Sequence, residues 1–78
     1  MKQIHKAKHI KIGLKISYYR KLRGLTQEQL AEKVDKNLAF IGAVEAPNME
    51  RTVSLDTLFD IAEVLDIPPF RFLDFDDE

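Results

Sequence analysis

"LTQEQLAEKVDKNLAFIGAVE", residues 25–45, decides how this chain folds. Thr26 stands where a helix N-cap belongs, and Gln29 follows three residues on, the spacing of a reciprocal capping box. Leu30, Ala31 and Val34 then recur at helical spacing and give a short helix one buried side. "DKN" is the break. Asp35 tolerates a left-handed backbone better than most residues other than glycine, and Asn37 is a good N-cap for the next helix. On that helix, at about 100° per residue, Ile41 and Val44 share a face with Phe40 on its flank. Leu38, Ala39, Gly42 and Ala43 spread over the opposite side. From Leu38 to Val44 no side chain can donate or accept a hydrogen bond.

Outward from this pair the chain reads as further helices with short breaks. Upstream, a helix is expected from about Ile10, or earlier, to Arg23, with Ile12, Ile16 and Tyr19 as its core face and Gly24 as its left-handed stop. Downstream, Pro47 ends the third helix and "APNMERTV" is a loop. Ser54 caps a fourth helix whose stripe is Leu55, Leu58, Ala62 and Leu65, widened by Ile61. "IPP" stops it, and Pro69 can open a last turn or short helix through "FRFL". The expected architecture is all-α, a compact five-helix domain over residues 10–73. Residues 1–9 would form a basic arm or an extension of the first helix, and residues 74–78 an acidic tail.

Seventy-eight residues allow one small domain, which buries only about 60% of its unfolded surface. The absence of cysteine suits a reducing compartment and rules out thiolate metal sites. "MKQIHKAKHIKIG" lacks the apolar run of a signal peptide and no segment is long enough to span a bilayer, so a cytoplasmic protein is expected. The net charge of −1 hides a division. Ten of the twelve Lys and Arg lie in residues 1–36 against three acids, whereas residues 37–78 hold ten acids and two arginines. A basic half suits a polyanion partner, and an unevenly charged solvated surface is the alternative.

From about Ile12 to Leu73 the chain resembles the phage-repressor (Cro-like) helix-turn-helix family, the xenobiotic-response-element type. The resemblance rests on "RKLRGLTQEQLAEKV", on Ile41, Val44 and Glu45, and on "SLDTLFDIAEVLDI". It implies a lambda-repressor-like domain whose second helix crosses the DNA backbone while the third enters the major groove. Carried over by position, Gln27 would bond a phosphate with help from Thr26 and nearby amides. Asn37, Leu38, Ala39, Gly42 and Ala43 would face base edges, and Asn48, Arg51 and Thr52 would meet the backbone beyond. Arg20 and Glu45 would form a structural pair between the first and third helices. Lys36 and Arg23, near the ends of the second helix, could also reach phosphates. The chain departs from the family pattern at Asp35, which replaces the turn glycine, and at "Glu45-Ala46-Pro47", which replaces Glu-Asn-Gly. The loop after the third helix also runs one or two residues longer.

The resemblance therefore implies a DNA-binding transcription regulator, a repressor acting on double-stranded DNA. The missing polar base readers leave three readings of the third helix. Small residues could let it sink into the groove and sense thymine methyls; the protein could hold DNA through phosphates alone; or the face could pack against protein, as in an antitoxin-like or accessory interaction module. Phe70, Phe72 and Phe75 are too many aromatics for so small a core, although Phe72 with Leu73 suits closing it, and the surplus points to a homodimer seam in the C-terminal region. His5 and His9 are four apart but have no acid or cysteine near them, so no metal or cofactor is expected. No nucleophile has a base fixed beside it, and an enzyme is not expected.

Overall fold

The computed structural model describes residues 3–49 and 51–76. After a 3-10 turn at Gln3–His5, four helices follow: α1 (Lys6–Leu22), α2 (Gln27–Lys33), α3 (Leu38–Glu45) and α4 (Leu55–Leu65). The fifth expected helix is a single 3-10 turn, Pro69–Phe72, with Pro68 as its cap and Pro69 opening it. No strand occurs among the described residues, and no described helix is long and apolar enough to cross a membrane.

α1 begins at Lys6, earlier than the apolar periodicity suggests, because "KAKH" is made largely of good helix formers. Lys6, Lys8 and Lys11 therefore stand on a helix rather than on a flexible arm, while Lys2 lies outside the described residues. Gly24 closes α1 at φ 75°, with its N–H donating to the Lys21 carbonyl at 3.0 Å. The Thr26 hydroxyl accepts the Gln29 N–H at 3.0 Å, and the Gln29 side chain accepts the Thr26 N–H at 2.9 Å, completing the capping box of α2. Removing half of that box in Thr26→Ala is expected to cost about 1 kcal/mol, read as a lower urea midpoint with an unchanged slope.

Asp35 takes φ 57° and turns the chain out of α2, and Asn37 Oδ1 accepts the Phe40 N–H at 2.7 Å to start α3. The core gathers Ile12 and Ile16 from α1, Leu30 and Ala31 from α2, Ile41 and Val44 from α3, and Leu58, Ile61, Ala62 and Leu65 from α4. Phe72 closes it from below, with Tyr19 meeting its ring edge-on at 5.5 Å between centroids. Leu55 is exposed instead of joining the α4 stripe. It stands in the first turn, about 70° from the centre of that stripe. Thr57 is buried in the same turn, its hydroxyl accepting from Ser54 at 3.0 Å.

A second left-handed residue, Asp66 at φ 55°, ends α4. Its helix end is completed by Arg23, whose guanidinium donates to the Leu65 carbonyl at 2.7 Å and the Asp66 carbonyl at 3.1 Å. Cations are favoured at a helix C-terminus, and these bonds tie the end of α1 to the end of α4.

Candidate nucleic-acid interface

The inner face of α3 packs on α1 and α2. Ile41 and Val44 are buried there, with Leu38, Ala39, Gly42 and Ala43 on the far side. Leu38 on this face is 48% exposed. Gly42 leaves space: a Cβ placed there would meet only the Gln27 Oε1, at 3.8 Å.

Arg20 and Glu45 clamp the helix from below. The Arg20 Nε donates to Glu45 Oε2 at 2.7 Å and its Nη2 to Oε1 at 2.8 Å, a bidentate pair with both residues only 7% exposed. A third donation from Arg20 Nη1 reaches the Leu25 carbonyl at 2.7 Å, where the chain leaves α1 for α2. The hydrogen bonds to Glu45 hold the guanidinium pKa above its ordinary value; burial acts the other way, and the Glu45 charge adds to the rise. One ion pair thus fixes α1, the α1–α2 link and the end of α3 together.

Gln27 belongs to the same network, with its Nε2 donating to Glu45 Oε1 at 3.0 Å. A carboxylate only accepts, so the near atom of Gln27 is its amide nitrogen. One N–H of that amide is thereby committed to Glu45, and the second remains to donate to another acceptor such as a phosphate oxygen.

Asn37 is also partly committed, since its carbonyl caps α3. Its amide nitrogen has no protein partner among the described residues, and this is the polar group that α3 retains toward a groove. Lys36, Asn37, Ala39, Ala43 and Arg51 come together around an open groove of about 730 Å³, with Asp35, Phe40 and Met49 completing its wall. Thr26, Asn48 and Thr52 are exposed nearby in sequence but do not line it. Phe40 was read only as the flank of the core face of α3 and Met49 only as part of a loop, so neither was expected in a groove wall.

Two short capped helices, a left-handed turn between them and an outward second helix fastened by its inner face define a helix-turn-helix protein. Comparison with known proteins places it further. A family model described as "Helix-turn-helix" matches residues 16–72, and the chain belongs to that family, the Cro/C1-type helix-turn-helix of DNA-binding transcription regulators. The restriction-modification controller protein C.AhdI from Aeromonas hydrophila is similar over 90% of this chain and 97% of its own, at 36% identity and TM-score 0.78. SinR, the master regulator for biofilm formation, solved in complex with DNA, is similar over 81% of this chain and 98% of its own, at 32% identity and TM-score 0.73. SinR solved in a complex with the SinI protein gives 31% identity over 82% of this chain and 61% of that one, with TM-score 0.74. No match was found among curated protein sequences.

Proposed function

We propose that α3 enters the major groove of double-stranded DNA and that the chain represses transcription by occupying its site. The observation that carries this reading is the open outer face of α3, bordered by Lys36 at its start and by Arg51 beyond its end. Leu38, Ala39, Gly42 and Ala43 have no polar tips to hold bases at a distance, so the helix backbone approaches the groove floor. There Leu38, Ala39 and Ala43 meet thymine methyls, the Asn37 amide supplies one donor, and groove shape contributes the remaining selectivity. Lys36, Arg51, Asn48 and the start of α2 at Thr26 and Gln27 hold phosphates, and that part of the affinity falls steeply with salt.

The chain works as a homodimer in the cytoplasm, with two α3 helices about one DNA turn apart. Support for a seam in the C-terminal region comes from Phe70, which is 63% exposed, and from its exposed neighbour Leu73. Phe72 takes no part in it, since the core encloses that ring completely, and Phe75 is half-buried against the core. The alternative, a protein-interaction module without specific DNA reading, is favoured by the same apolar α3 face and by a relative solved with a protein partner.

Ala43→Glu separates the two. A carboxylate in the groove wall opposes DNA phosphates, and like-charge juxtaposition costs several kcal/mol. Duplex retention is expected to fall by at least about 100-fold while the melting midpoint stays within a few degrees. Undiminished retention of DNA by this variant would remove α3 from the interface.

A further inference from the structure

The groove beside α3 contains an arrangement that the helix-turn-helix geometry does not require. The Phe40 ring lies in the first turn of α3, half-buried, with one edge against the core. The Lys36 Nζ lies 5.5 Å from its centroid and the Arg51 Cζ lies 4.9 Å from it. Lys36 precedes the helix cap and Arg51 follows the helix in the next loop, so the ring joins two cations from opposite ends of α3. Neither cation forms an ion pair with an acid among the described residues, although Asp35 borders the same groove.

Two like charges drawn to one ring repel each other, and the attraction of an aromatic face for each is what keeps both there. Such a pair leaves an unanswered positive field on the side that faces solvent. A phosphodiester fits that field, whereas a base does not, because a ring engaged by two cations is a poor stacking platform. We propose that Phe40 is a positioning residue that holds Lys36 and Arg51 as a single clamp for one backbone phosphate of duplex DNA. The inference rests on the DNA-binding reading. It adds a residue with no polar atom to the binding apparatus and makes the two cations interdependent.

The test is the dependence of duplex affinity on salt for the full chain, with variants Phe40→Leu, Phe40→Tyr, Lys36→Ala, Arg51→Ala and the Lys36/Arg51 double alanine. Each phosphate neutralised contributes about 0.9 to the slope of log K against log salt. Phe40→Leu, Lys36→Ala and Arg51→Ala are each expected to shallow that slope by about one, and the double alanine by about one as well. Phe40→Tyr keeps the ring and the wild-type slope. The alanine variants leave the core intact, so their non-additivity reads the clamp even if Phe40→Leu lowers stability. A slope reduced by about two in the double alanine, or a wild-type slope in a folded Phe40→Leu chain, overturns the clamp and leaves the DNA reading standing. Failure of the wild-type chain to retain any duplex at low salt overturns both.

Discussion

Gly13→Ala is expected to destabilise this chain by about 3 kcal/mol, although helix propensity alone argues the opposite. Gly13 lies in the middle of α1 and is buried. In an open helix, alanine would be favoured over glycine by about 0.5–1 kcal/mol. Here a Cβ would overlap the Val44 carbonyl oxygen and stand only 3.2 Å from the carbonyl carbon and 3.6 Å from the Glu45 Cα. The obstacle is backbone, so no rotamer change relieves it. Nor can α3 simply move away, because Glu45 is held by Arg20 and Gln27. Overpacking of this kind costs about 1–3 kcal/mol, occasionally more. Because the clash is with fixed backbone, about 3 kcal/mol is expected, a fall in melting midpoint on the order of 15 °C. A midpoint equal to or above that of the parent would show that α1 and α3 do not approach this closely.

Glu45→Ala is the second large effect. It leaves the Arg20 guanidinium buried with only the Leu25 carbonyl as partner and frees the Gln27 amide. Breaking a buried pair on one side costs about 3–5 kcal/mol, much of it the uncompensated charge. The double variant Arg20→Met with Glu45→Leu, which removes both charges, is expected to recover a large share of that loss. Urea melts of the parent, single and double variants provide the check, since a double variant as weak as the single would show that packing, not charge, is lost. The positioning of α3 depends on this pair as well, so the single variant should lose duplex binding before it unfolds.

The helix pair was legible in the sequence because local chemistry and packing agree there. Thr26 and Gln29, Asp35, Asn37, Ile41 and Val44 each specify one step, and the structure places each step accordingly. The features that escaped reading depend on distant partners. Gly13 looks like an indifferent helix residue until Val44 is set against it. Arg23 looks like a surface cation until the end of α4 arrives beside it. Leu55 continues a periodic stripe, yet it sits in a first turn that nothing covers. The fifth helix is a single 3-10 turn opened by Pro69, a form the sequence left open beside a short helix. Lys36, Asn37, Ala39, Ala43 and Arg51, singled out from position and family pattern, line one groove beside α3. The Phe40 ring between two of them was not singled out, because Arg51 reaches it from a separate loop.

The apolar character of α3 makes sequence-selective reading of DNA the central claim, and selection from a randomised duplex pool across a salt series tests it most directly. Enrichment of a dyad-symmetric site is expected, with half-sites about one helical turn apart and A·T pairs where α3 meets thymine methyls. The preference for selected over unselected DNA is expected to persist as salt weakens both. Equal affinity for the two pools at every salt concentration, or no retention of either pool at low salt, would contradict it.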